Sequence, residues 1–284
     1  MTKTTDATAL HDWQVIGRVE DIPRGGARRT QLLGQNITAQ RGPDGALSVF
    51  EPDGHNRSLP TRERHGHVWT SLGKPGRELP DMPEFEEEGR RLITCGAITV
   101  RTSPLRIVEN FLDLAHFPYI HTDILGVEPH TAVEDYKVEI RRPEDEIWAT
   151  ECRFFQPQAA TSAGGGQISE YMYRVTSPFV TILDKTCPIR EGAWDLIGLF
   201  VQPLEEDICD VHSFVLVFDE ENSDEAMLHF QQMIFMQDRS ILENQIPAHL
   251  PLDSRGEHAI PADRTSMVYR RWLRDKGLRF GAIP

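Results

Sequence analysis

Twelve residues, Asn110 to His121, set an amide, a carboxylate and two imidazoles into an otherwise largely apolar segment. Polar groups are buried in such surroundings only when something compensates them. On a helix, Asn110, Asp113 and His116 step by three, each step falling about 60° short of a full turn at the 100° helical period, so the spacing predicts one shared face. Pro118 then predicts a stop or kink. It lacks an N–H and its ring crowds the preceding turn, which lets His121 swing back towards His116. The plainer reading is a buried helix with two satisfied histidines. Four polar groups in one short apolar segment favour a metal site over it.

A chain of 284 residues is long enough to bury a real core as one large domain or two. The 44 acidic against 30 basic residues give a net charge of -14, and no run mixes Lys or Arg with aromatics, so the composition argues against a nucleic-acid partner. Cys95, Cys152, Cys187 and Cys209 stand singly, with neither zinc-type pairs nor a disulfide framework, so reduced thiols and a cytoplasmic location are expected. No signal-like segment opens the chain and no apolar stretch is long enough to span a bilayer.

Residues 13 to 50 alternate short apolar pieces with turn residues and read as small β structure, continued by His67 to Leu72. His55, His65 and His67 lie in polar or alternating context with no ligand spacing and are expected to be solvated. Gly73 to Pro83 is a Pro/Gly-rich linker, placing a boundary near residue 90. Leu92 to Thr102 follows as a strand, and Ser103 or Pro104 opens the helix that carries the central motif. Alternating runs at Lys137–Ile140, Glu146–Phe155, Ile168–Val175, Phe179–Leu183, Trp194–Val201 and Cys209–Phe218 predict a mostly antiparallel sheet, with Gln202 to Ile208 as a hairpin link and Gly164–Gly166 as a flexible loop. Residues 261 to 275 read as an amphipathic helix with four arginines outward.

Residues 223 to 246 change to helical period, with Ser223 as N-cap. The 100° step puts Met227, Phe230, Ile234, Asp238 and Ile241 within an arc of roughly 80°, with Glu243 on the opposite side. Asp238 is thus a carboxylate on an apolar stripe. Burying it requires a cation, a metal or a proton. A structural salt bridge is the alternative. His116, His121 and Asp238 together make two imidazoles and a carboxylate, which fits a non-haem iron(II) site; a zinc hydrolase would need an H-E-x-x-H that is missing here.

The pattern N-x-x-D-x-x-H-x-x-x-x-H formed by Asn110, Asp113, His116 and His121, with Phe111-Leu112 before Asp113 and Thr122 to Gly126 after His121, resembles the catalytic signature of Rieske non-haem iron oxygenases of the demethylase branch. The segment Gln237-Asp238-Arg239-Ser240-Ile241-Leu242-Glu243 is similar to that family's third-ligand segment. The resemblance implies an α+β architecture: residues 1–89 as a truncated Rieske-like β remnant and residues 90–284 as a helix-grip catalytic domain with a curved antiparallel sheet and long helices. It assigns a mononuclear Fe(II) to His116, His121 and Asp238. Asp113 becomes the bridge towards an electron source, with Asn110 beside it as a second catalytic candidate. Full members carry C-x-H and C-x-x-H pairs for a 2Fe-2S cluster, whereas here no Cys precedes Cys95.

Cluster-less members of that branch act on methylxanthines, so the resemblance further implies O2-dependent N-demethylation of 7-methylxanthine to xanthine and formaldehyde. It implies electrons from NADH through a partner flavin- and Rieske-containing reductase, a glutathione S-transferase-like structural partner, and a trimeric core or hetero-oligomer. Two other readings remain open at this point. One is an O-demethylase or ring hydroxylase of another small aromatic; the other is a non-catalytic helix-grip carrier.

Overall fold

The computed structural model describes residues 4–52, 57–160, 163–253 and 255–284. Its centre is a seven-stranded antiparallel sheet with the spatial order Arg91–Val100, Ile208–Val217, Trp194–Glu205, Val180–Thr186, Ala163–Ser177, Glu146–Ala160, Lys137–Arg141. The last six strands in sequence form a meander, and the first returns to pair with the final one. That closing pair leaves the chain between Val100 and Lys137 free to cross one face of the sheet, which is where the histidines lie.

The central strands are buried on both faces. Ile208–Val217 and Trp194–Glu205 carry long unbroken runs of buried residues instead of the alternation expected of a half-solvated sheet. One face is covered by the helix Pro104–Phe111 and the long helix Asp224–Leu242. The other is covered by the N-terminal region, where Trp13, Val15 and Trp69 pack with Val180, Ile182, Phe200 and Phe214. The N-terminal region holds a three-stranded sheet (Gln14–Arg18, His67–Thr70, Thr61–Arg64) and a four-stranded one (Ala27–Leu32, Gln35–Arg41, Leu47–Phe50, Ser58–Leu59). The second is tied to the large sheet at its hairpin tip. Leu33 and Gly34 both take positive φ, as a two-residue turn requires, and their N–H groups donate to the carbonyls of Pro203 and Leu204 at 2.7 Å each.

Several sequence expectations change. His65 and His67 are buried, not solvated: the large sheet, through Phe200 and Phe214, covers the strand that His67 opens, and His65, in the turn before it, packs on Phe85; His55 lies outside the described residues. Gly164–Gly166 belong to the strand Ala163–Ser177, where Gly164 pairs with Gln158, so the expected loop is part of a long hairpin. The link at Gln202–Ile208 is shorter than expected, since the strand runs on to Glu205 before the turn. The C-terminal helix starts at Arg264 after a 3-10 turn at Pro261–Asp263, and Arg270 points inward. Burial of Arg270 is compensated by two carboxylates, Glu109 and Glu257, which also hold Arg106. Among the described residues no helix is long and apolar enough to cross a membrane.

Candidate metal centre

Asn110, Asp113 and His116 do not share one helix. Ser103 caps the helix through Leu105 N–H and Pro104 opens it, but it ends at Phe111. The break follows from Asp113, whose Oδ1 accepts the Ala115 N–H at 2.7 Å and offers the backbone a local turn in place of the next helical bond. A second short helix runs from Phe117 to Ile120 with Pro118 in its first turn. Pro118 therefore starts a helix where it was expected to stop one, because its missing N–H costs nothing in a first turn. His116 sits before that helix and His121 just after it. One turn of chain brings their rings back together, with Nε2 atoms 3.1 Å apart.

Asp238 completes the cluster from the long helix, which Ser223 caps through Ala226 N–H. Its Oδ1 lies 3.0 Å from His121 Nε2 and 3.3 Å from His116 Nε2. Of the stripe, Met227, Phe230 and Ile234 line the same cavity as Asp238 and Ile241 lines the cavity on the Asp113 side, so the apolar face borders hollows rather than a closed core. Glu243 turns away as the helical angle requires, its Oε1 accepting the backbone N–H of Arg101 and pairing with Arg239.

The hydrogen bonds on the far sides of the two rings matter as much as the triangle. His121 Nδ1 is 2.8 Å from Gln237 Oε1, an oxygen that can only accept, so Nδ1 carries the proton. His116 Nδ1 faces Asp113 Oδ2 at 3.3 Å with the same consequence. Both rings thus turn Nε2 towards Asp238, and Nε2 is the atom that a metal would bind in place of a proton. Gln237 was not singled out as a ring partner by sequence reasoning; the available signal was its position directly before Asp238.

Electrostatics agree with the geometry. Burial alone lowers the affinity of His116 for a proton, but Asp113 and Asp238 outweigh it and raise its pKa to about 9. Burial raises Asp238, yet the two imidazoles hold it down at about 2. Asp238 Oδ1 nevertheless accepts no hydrogen bond of normal geometry and is buried. Three donor atoms crowd around one point with one of them unsatisfied, which is the signature of a cation's place. The edges of 3.0, 3.1 and 3.3 Å are short enough for all three atoms to bind one ion at bonds of about 2.1 Å. His116, His121 and Asp238 are thus able to hold a metal ion.

Two cavities flank His116. One, of about 150 Å³, is walled by Phe111, Phe117, Leu125, Ile197, Phe230 and Ile234 and reaches His121 and Asp238. The other, of about 350 Å³, is polar and lies on the Asp113 side, lined by Glu109, Gln245, Glu257, His258, Asp263 and Arg270. Asn110 borders both.

Residues 100–278 match the family model of the vanillate O-demethylase oxygenase C-terminal domain. The chain is 42% identical over 272 residues to the probable methylxanthine N7-demethylase NdmC of Pseudomonas sp. (strain TJI-51), with 96% of each covered. It is 26% identical over 219 residues to the methylxanthine N1-demethylase NdmA of Pseudomonas putida, covering 75% of this chain and 59% of that longer protein. Among solved structures, NdmA with caffeine superposes with a TM-score of 0.77 at 17% identity, covering 94% of this chain and 91% of the other. Dicamba monooxygenase bound to 3,6-dichlorosalicylic acid gives 0.72 at 14%, covering 95% and 99%. The chain belongs to the Rieske-type non-haem iron oxygenases, in their demethylase branch.

Proposed function

We propose that this chain removes an N-methyl group from a methylxanthine, converting 7-methylxanthine into xanthine and formaldehyde with electrons delivered by a partner protein. The observation that carries this reading is the triangle of His116, His121 and Asp238 at the end of a small apolar cavity. The 42% identity to a probable methylxanthine N7-demethylase supports the substrate class.

Fe(II) held by His116, His121 and Asp238 would supply O2 activation; in the overall reaction one oxygen atom would enter a C–H bond of the methyl group and the other would leave as water. The balance needs two electrons and two protons from outside the substrate. The resulting N–CH2OH group collapses to N–H and formaldehyde. This chain's residues do the rest. Gln237 and Asp113 hold the two imidazoles in the tautomer that leaves Nε2 free, and Asp238 brings the negative charge that favours a cation. Phe111, Phe117 and Phe230 exclude water and hold a flat ring.

We assign residues 1–89 to a Rieske-like β remnant and 90–284 to the catalytic domain. The folded segment from residue 13 to 72 contains no cysteine, so cluster electrons come from a Rieske protein in trans, fed from NADH by its flavin. Asp113, 29% exposed at its side chain and bordering the polar cavity, is the bridge by which they reach His116. Ile246 and Ile260, next in sequence to that cavity's Gln245 and Ala259, are 92% and 57% exposed, apolar side chains that a docking protein could cover. A glutathione S-transferase-like structural partner, a trimeric or hetero-oligomeric assembly and a cytoplasmic setting complete the proposal.

The test is formaldehyde release from a panel of methylated rings by iron-loaded protein with NADH and a Rieske reductase. Release from 7-methylxanthine only when the reductase is present is the expected result. Release at the same rate without it contradicts electron delivery in trans, and release from methoxy-aromatics alone contradicts the substrate class.

A further inference from the structure

The apolar cavity has a polar floor that the chemistry above does not use. Antiparallel pairing sets Tyr171 opposite Lys185 and Lys185 opposite Asp195, so the three stand in one row across adjacent strands and on one face of the sheet. All three line the cavity. The neighbouring row, Tyr173, Leu183, Ile197 and Val215, lines it too and is aliphatic beyond its tyrosine. An ammonium and a carboxylate thus lie on facing strands on the inner face of a mostly apolar sheet, where another polar cavity residue, Gln156, already accepts from Ser169. Lys185 is 7% exposed.

As a purely structural pair these charges are a poor choice, because each loses hydration that the other repays only in part. Burial weakens both charges, lowering the Lys185 pKa to about 8 against the pull of Asp195 and raising that of Asp195. What distinguishes them from a packed-core pair is that they face a cavity. An ammonium only donates and a carboxylate only accepts. Together they complement a ring edge in which a carbonyl stands next to an N–H. An ammonium has three donors, so a partner within the protein and a ligand carbonyl are compatible.

We propose that Lys185 and Asp195 are the specificity pair of this cavity, reading a lactam edge of the substrate: Lys185 donates to the ring carbonyl and Asp195 accepts from the adjacent N–H. This rests on the methylxanthine reading and narrows it to rings whose six-membered half keeps an unmethylated N–H. 7-Methylxanthine satisfies the pair. In caffeine a methyl replaces each such hydrogen, leaving Asp195 buried against carbon.

The test is calorimetric binding of 7-methylxanthine and caffeine to iron-loaded wild type, Lys185→Met and Asp195→Asn, with formaldehyde release measured in parallel. Wild type should prefer 7-methylxanthine by at least about tenfold, because a site built around an N–H rejects the analogue lacking it. Each variant should weaken 7-methylxanthine by about ten- to a hundredfold and caffeine by less than about threefold, so the preference collapses. Equal binding of the two xanthines by wild type overturns the proposal. So does an undiminished preference in both variants at wild-type iron content. If the variants fail to fold, the wild-type preference alone decides. If wild type binds neither xanthine and releases no formaldehyde, the substrate reading fails instead. The pair is then judged by uracil against 1,3-dimethyluracil, where a preference for uracil supports it and none overturns it.

Discussion

Among the described residues, two pairs of neighbouring, largely buried histidines differ in whether they could hold a metal. His67 and His212 have ring centroids 6.0 Å apart beneath the N-terminal sheets; His116 and His121 are 5.0 Å apart beneath the helices. Burial is similar and the charge setting is opposite. Burial is the main force that pushes His67 down to about 4, with Arg18 adding to it against the opposing pull of Asp21, and burial with His67, Arg28 and Arg18 pushes His212 well below its ordinary value. Around His116 the neighbours are Asp113 and Asp238, which raise it to about 9. The first pair is a neutral part of an aromatic cluster with Phe200 and Phe214. The second is poised to exchange a proton for a cation. Carboxylates, more than burial or ring spacing, separate a metal site from a core.

The largest expected effect tests that distinction. Asp238→Ala should reduce bound iron from about one per chain to a trace, whereas Glu243→Ala, on the opposite side of the same helix, should retain it; equal losses by elemental analysis would refute the facial argument. Next comes Asp113→Asn, expected to keep iron while lowering reductase-driven formaldehyde release by about 10- to 100-fold, as removal of a ligand's hydrogen-bond partner does. Unchanged turnover would remove Asp113 from the electron route.

The pH dependence of the metal-free protein should separate the pairs in opposite directions. His116 has its folded pKa raised, so its contribution to stability is complete below about 6.5 and is lost as pH rises through about 9. His67 has its pKa lowered, so its contribution is present above about 6.5 and is lost as pH falls towards about 4. Imidazole NMR titrations check both. Iron uptake must displace the His116 proton and should therefore strengthen with pH up to about 9. Smallest is His67→Phe, expected to cost on the order of 1–3 kcal/mol by overpacking, read from urea midpoints, with iron content unchanged.

The residues that the structure brings together at the candidate site were legible because their signals are local. Asp238 stood out through the 100° step alone, and the histidines through their apolar surroundings. The helix break at Asp113 was missed because a side chain capturing the Ala115 N–H leaves the hydrophobic pattern intact. Burial of His67 was illegible for a different reason: Phe200 and Phe214, which cover it, are more than 100 positions away, and alternation within a strand says nothing about what lies over it. Arg270 was read as outward because its helix is amphipathic, and its acidic partners come from distant segments. The proposal that residues 1–89 are a Rieske-like remnant rests on resemblance and cysteine count, to which periodicity contributes nothing.

The most direct measurement is anomalous scattering at the iron edge from crystals of iron-loaded protein. The account expects one peak, about 2.1 Å from His116 Nε2, His121 Nε2 and an Asp238 oxygen, with Asp113 outside bonding distance. A peak elsewhere, or none at this triangle after iron loading, would contradict it.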